Sequence, residues 1–141
     1  MSTQDKTSIT VETSVSADAA TAWRFFTDPG EIVRWNHASD DWHSPAAKND
    51  LRPGGRFSYR MEARDGSMGF DFGGVFNDVQ PGELLTYTLD DGRQVAVRFT
   101  AGGTGTKVSE TFEAENANPI ELQRSGWQAI LDNYKKLVEQ K

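Results

Sequence analysis

The sharpest chemical feature of this sequence is one carboxylate set among apolar neighbours. Glu110 alternates with Val108 and Phe112, and alternation puts all three on one face of a strand. Matching Phe99 to Val108 across the turn at residues 102–105 sets Val97 opposite Glu110 and Val95 opposite Phe112. An acid on so apolar a face is costly to ionise, so its pKa rises unless a partner compensates. Three outcomes stay open. Glu110 is a ligand anchor or general acid/base, or it makes a structural hydrogen bond to a group such as Tyr59 or an indole N–H, or a bulge turns it outward.

A second group of chemistry-bearing residues is Trp35-Asn36-His37 with Trp42-His43. Indoles, imidazoles and an amide at a cavity rim suit a ring-bearing or amphipathic ligand. The plainer alternative makes both Trp core anchors and both His solvent-facing. His37, Asp40, Asp41 and His43 are close in sequence, but their spacing matches no zinc or calcium signature, so no metal is expected. The chain has no Cys and no Gly-x-Ser-x-Gly elbow. Its glycine pairs at 54–55, 73–74 and 102–103 join no strand to a helix start, so they form no phosphate loop. No catalytic motif is recognisable, no cofactor is expected, and the chain reads as a binder more readily than as an enzyme.

These side chains need elements to position them. Residues 118–141 read as one long amphipathic helix, with Asn118 as N-cap, Pro119 at the first position and Glu121 in a capping box. Ile120, Trp127, Ile130, Leu131, Tyr134, Leu137 and Val138 share one face, while Gln123, Arg124, Gln128 and Asp132 fall on the other. Gly126 interrupts that helix at a cost of about 1 kcal/mol relative to Ala. Two roles fit it: letting the helix approach the sheet, or leaving room for a ligand beside Trp127. A helix with so broad an apolar face needs a broad surface to lie on, and the rest of the chain is mostly strands.

Residues 9–15 alternate as a half-buried strand. Ser16 then caps a helix running to Thr27, and Asp28-Pro29-Gly30-Glu31 starts a short second helix carrying Ile32, Val33 and Trp35. Residues 36–50 are irregular, with an edge strand near 42–47. Asp65-Gly66 suggests a two-residue type I′ hairpin. That register pairs Met61 with Phe70, Tyr59 with Phe72 and Phe57 with Gly74, and sets Arg60 opposite Asp71. The Asp90-Asp91-Gly92 loop pairs Tyr87 with Val95 and Leu85 with Val97. The expected architecture is α+β: one strand, two short helices, about six antiparallel strands and a long C-terminal helix. Residues 1–141 read as one domain, with a core over about 8–140.

Composition bounds the partners. The chain has 15 Lys and Arg against 21 Asp and Glu, a formal net charge of -6. That balance argues against nucleic acid and anionic membrane surfaces. No apolar run approaches the roughly 18 residues of a membrane span, and the N-terminus lacks a signal-peptide core, so a cytoplasmic protein without membrane insertion is expected. An exposed edge strand near Trp42 is compatible with a monomer or a weak dimer.

The order of elements resembles the START-like, or SRPBCC, helix-grip superfamily. Phe26-Thr27-Asp28-Pro29, Arg34-Trp35, Arg52-Pro53-Gly54-Gly55-Arg56-Phe57, Met61, Asp65-Gly66, Gly74-Val75-Phe76, Gly126-Trp127 and Leu131-Asp132 resemble its branch homologous to the activator of the ninety-kilodalton heat-shock chaperone's ATPase. The resemblance implies a curved sheet of six to seven strands gripping the C-terminal helix, with a hydrophobic cavity between them. It fixes no single activity. A small hydrophobic or aromatic molecule is the expected ligand. Tyr59, Met61, Phe72, Val97, Trp127 and Ile130 would form walls, and Trp35, Asn36, Trp42, His43 and Glu110 further contacts. The alternatives are an enzyme using Glu110 for proton transfer in the same cavity, and a module that binds the chaperone ATPase.

Overall fold

The computed structural model describes residues 7–115 and 118–140. Strand β1 (Ser8–Val15) is followed by helices α1 (Ala19–Thr27) and α2 (Pro29–Trp35). Strands β2 (Trp42–Asn49), β3 (Arg56–Ala63), β4 (Gly69–Gln80), β5 (Leu84–Leu89), β6 (Gln94–Gly102) and β7 (Gly105–Glu113) come next, and α3 (Ile120–Glu139) ends the chain. All seven strands form one antiparallel sheet in the order β1-β7-β6-β5-β4-β3-β2. The sheet curls into a half-barrel with α3 in its concavity, so the fold is the α+β helix grip. The chain leaves β1 through two helices, which lets the first strand pair with the last.

Pairing follows the alternation. Met61 opposes Phe70, Tyr59 opposes Phe72, and Phe57 opposes Gly74. On the outer face Arg60 sits opposite Asp71, Nη1 to Oδ1 at 3.4 Å, and bonds Glu62 more closely, Nε to Oε2 at 2.8 Å. Tyr87 opposes Val95, Leu85 opposes Val97, Val97 opposes Glu110 and Val95 opposes Phe112. A pattern of period two constrains register strongly because a one-residue slip would turn every apolar side chain to solvent.

The structure corrects several local expectations. The β3–β4 loop is not a type I′ turn, because no non-glycine among the described residues has positive φ and Gly66 alone, at φ 79°, is left-handed there. Ala63 N–H donates to the Met68 carbonyl, and Gly66 N–H to that of Ala63, which makes a longer loop with the same register. Asp18, not Ser16, caps α1, its Oδ1 accepting from Thr21 N–H at 2.8 Å. Two residues separate the strand from this cap, so the helix starts later. Asn118 does not cap α3; Pro119 occupies that position without a side-chain bond, and Asn118 Nδ2 donates instead to Glu115 Oε2 at 2.6 Å. A bidentate acid within reach outcompetes the orphan helix N–H groups for the short amide side chain. β2 extends to Asn49, and its register shifts between His43 and Ala46, where Pro45 has no N–H to give an edge ladder.

Helix α3 is held at its C-terminal half. Tyr134 Oη donates to the Ala22 carbonyl at 2.6 Å in the core, and Lys135 Nζ to that of Ser14 at 2.7 Å. Ser16 N–H donates to Glu139 Oε2 at 2.8 Å, and Asn133 Nδ2 to the His37 carbonyl at 2.6 Å. Leu131, Tyr134, Leu137 and Val138 are buried. Gln123, expected on the outer face, is buried as well. Its amide accepts from Glu115 N–H and donates to the Glu115 and Asn118 carbonyls. The loop entering α3 presents backbone groups that this side chain satisfies, which periodicity alone does not register.

Candidate functional site

The half of α3 that precedes these anchors covers a cavity of about 260 Å³ between helix and sheet. Its walls are mainly aromatic. Phe57 from β3 lies 5.0 Å from the Phe76 ring and 5.1 Å from Tyr87, centroid to centroid, with Tyr59 at 5.0 Å. Trp127 closes the helix side, 6.1 Å from Phe72 in an edge-to-face arrangement. Trp35 and Phe26 close the α1–α2 side, both 5.3 Å from Tyr134.

Glu110 opens into this space. The β6–β7 register runs unbroken from Val95–Phe112 to Gly102–Gly105, so no bulge turns it outward. Its residue is 7% exposed, and among the described residues no group hydrogen-bonds its carboxyl or pairs with it. Two of the groups expected to bond it bond others instead. Tyr59 Oη accepts from Asn49 Nδ2 at 3.2 Å, and Trp35 Nε1 donates to the Phe25 carbonyl at 2.9 Å. Burial without compensation pushes the Glu110 carboxyl up to about 8. Burial likewise lifts Tyr59 to about 12, against a small opposing effect of its Asn49 bond. Tyr87 and Tyr134 are raised by burial first and by the nearby Glu110 second.

The structure brings Trp35, Asn36, Tyr59, Met61, Phe72, Glu110, Trp127 and Ile130 together in the lining. Asn36 Nδ2 faces Met61 Sδ at 3.3 Å, which ties α2 to β3 at the rim. Three expected contacts lie elsewhere. Val97 is fully buried in the core, paired with Glu110 across β6 and β7, and does not reach the cavity surface. Trp42 is half-buried against Phe70, ring centroids 6.0 Å apart. His43 lies on the opposite face of the sheet, its Nε2 3.8 Å from Glu62 Oε1. The register decides this: His43 opposes Glu62, whose neighbours Met61 and Ala63 take the inner face.

Other lining residues escaped the sequence reading. Phe57, Phe76, Leu85 and Tyr87 line the wall, and the alternation that assigned Tyr59 inward would have found Phe57 and Tyr87. Arg93, Glu115 and Gln123 could not be found that way, because they meet only where the loop before β6 approaches the start of α3. Among the described residues no cluster of His, Asp and Glu could hold a metal ion. No helix among them is long and apolar enough to cross a membrane.

A curled antiparallel sheet gripping a C-terminal helix over an internal aromatic cavity defines a START-like, SRPBCC-class protein. Within that class the chain belongs to the family described as Activator of Hsp90 ATPase homolog 1-like protein, which matches residues 16–139. An AHSA1-like protein from Aeromonas hydrophila, solved by NMR, is 41% identical over 96% of this chain and 97% of its own, with a TM-score of 0.88. A protein from Cytophaga hutchinsonii is 49% identical over 92% of this chain and 90% of its own, with a TM-score of 0.81. A crystal structure from Chromobacterium violaceum is 25% identical over 95% and 98%, with a TM-score of 0.83. No functionally curated protein matches the chain.

Proposed function

We propose that this protein, acting as a single unit over residues 8–140, binds a small hydrophobic or aromatic molecule between the sheet and α3, with Glu110 as its polar contact. The observation that carries this reading is the Glu110 carboxyl, without a hydrogen-bond partner among the described residues, opening into a mainly aromatic cavity. A core selected only for stability would replace that acid with an apolar residue of similar volume. Titration of the labelled protein with fatty acids, aromatic acids and flavonoid-like compounds tests it. The signals followed are the indole N–H groups of Trp35 and Trp127 and the Glu110 amide. Shifts confined to this set support the reading, and a flat response to every class sinks it.

A second reading follows from the Glu110 carboxyl at about 8, close to where a general acid/base works best near neutral pH. On this reading the bound molecule undergoes proton transfer, and turnover that is unchanged in Glu110→Gln rules it out. The family match also favours an activator-like role on a chaperone ATPase. Chaperone turnover that is indifferent to saturating protein removes that reading.

A further inference from the structure

The charge balance of the cavity narrows the ligand class. Three charged side chains line it: Glu110, Glu115 and Arg93. Arg93 is already committed, its Nε to Asp91 Oδ2 at 2.8 Å and its Nη1 to the Glu113 carbonyl at 3.4 Å. Among the described residues, Glu110 is therefore an acid with no base bonded to it. The rings of Phe57, Phe72, Tyr87 and Trp127 line the same cavity. Aromatic faces attract a cation through the ring quadrupole, and more strongly once water is excluded. An anionic head would be repelled by Glu110 once that carboxyl ionises, with Arg93 already bonded to Asp91 and the Glu113 carbonyl. The volume, about 260 Å³, lies just under the roughly 300 Å³ at which drug-sized pockets begin, so the ligand is compact.

Resting on the ligand-binding reading above, we infer that the ligand is a small organic cation, with its ammonium group at Glu110 and its apolar body among the aromatic walls. Such a ligand supplies the counter-charge that the fold withholds. Binding then draws the carboxyl into its ionised form and releases a proton to solvent.

The groups facing Glu110 make this linkage readable. Val11 and Val97 flank it on the neighbouring strands and do not titrate. Tyr59, Tyr87 and Tyr134, from β3, β5 and α3, are all raised and stay neutral up to pH 9. Arg93 and Glu115 also line the cavity. The pH dependence between 7 and 9 is therefore assigned to Glu110 by its loss in Glu110→Gln.

The test uses three one-ring probes: benzyltrimethylammonium, whose charge is permanent, benzyl alcohol and benzoate. Binding to the protein is followed at the Trp127 indole N–H. The cation should bind tightest, and its Kd should fall about tenfold between pH 7 and pH 9 as Glu110 ionises. In Glu110→Gln both the preference and the pH dependence should vanish. Tighter binding of the alcohol or the benzoate, or a cation Kd that is flat with pH in the native protein, overturns the cation inference and leaves a cavity binder standing. A Trp127 signal that responds to none of the probes overturns both readings. The pH series on the native protein keeps the inference falsifiable if Glu110→Gln does not fold.

Discussion

The Trp127 indole lies flat on the Phe112 ring, with centroids 3.7 Å apart and planes 10° from parallel. Phe112 is two residues from Glu110 on the inner face of β7, so this stack seats the N-terminal half of α3 beside the buried carboxyl. The same indole meets Phe72 edge-on across the cavity. Trp127 is thus both a packing anchor of the helix and a wall of the site.

Trp127→Ala should therefore destabilise the fold by about 2–3 kcal/mol, less than for a fully buried Trp because this one is half-exposed. Trp127→Phe should recover most of that loss. Urea midpoints at unchanged m-value check both. A Trp127→Ala midpoint equal to that of the native protein would show that the stack carries no stability.

Glu110 should make the protein less stable as pH rises. Its folded pKa, about 8, lies above the value of a solvated carboxyl. Below the unfolded pKa both states hold the proton and burial carries no ionic cost. Between that value and about 8 the folded state holds a proton that the unfolded state has lost, so stability falls by up to about 1.4 kcal/mol per pH unit. Above 8 the loss is complete. Glu110→Gln should remove this decline, so its Tm gain over the native protein should be larger at pH 9 than at pH 5. A pH-independent difference would mean that the carboxyl is solvated or paired.

Two glycines should respond with opposite signs. A Cβ on Gly126 would meet nothing within 4 Å, so close approach to the sheet does not explain it. Gly126→Ala should stabilise by up to about 1 kcal/mol through helix propensity. A Cβ on Gly74 would overlap the Thr88 carbonyl oxygen and press on the Leu89 backbone. Gly74→Ala must push β5 away from β4 beneath the cavity wall, and should lower Tm. Thermal unfolding of the pair checks this. A gain at Gly74 would mean that the strands part without cost.

His37 should titrate below the ordinary imidazole range. Its Nδ1 is buried with no hydrogen-bond partner among the described residues. Burial, then the nearby Arg64 charge, lower its pKa from 6.5, against a raising effect of Asp40. The folded state therefore disfavours the protonated ring, and stability is lost as pH falls through 6.5, where the unfolded chain takes up the proton. NMR of the ring protons should give a midpoint below 6.5, moving up in Arg64→Ala. A midpoint at or above 6.5 would contradict this.

The sequence by itself determined the pairing of β3 with β4, β5 with β6 and β6 with β7, and the apolar face on which alternation sets Glu110. Period-two alternation binds neighbouring residues to fixed faces, and short loops leave few registers, so Val97–Glu110 and Tyr59–Phe72 pair as the pattern requires. Proline and acid at Pro29 and Glu31 likewise marked the start of α2. What only tertiary structure decided depends on segments distant in sequence meeting in space. Gln123 is buried because a loop beside it presents unsatisfied backbone groups. His43 faces Glu62 rather than the cavity because β2 pairs with β3 in one particular phase. Arg93 and Glu115 reach the site because the sheet curls its far loops onto α3. Glu110 shows both levels at once. Alternation placed it on the inner face, but only the packed structure decided that Tyr59 would bond Asn49 and Trp35 the Phe25 carbonyl, leaving Glu110 without a hydrogen bond among the described residues.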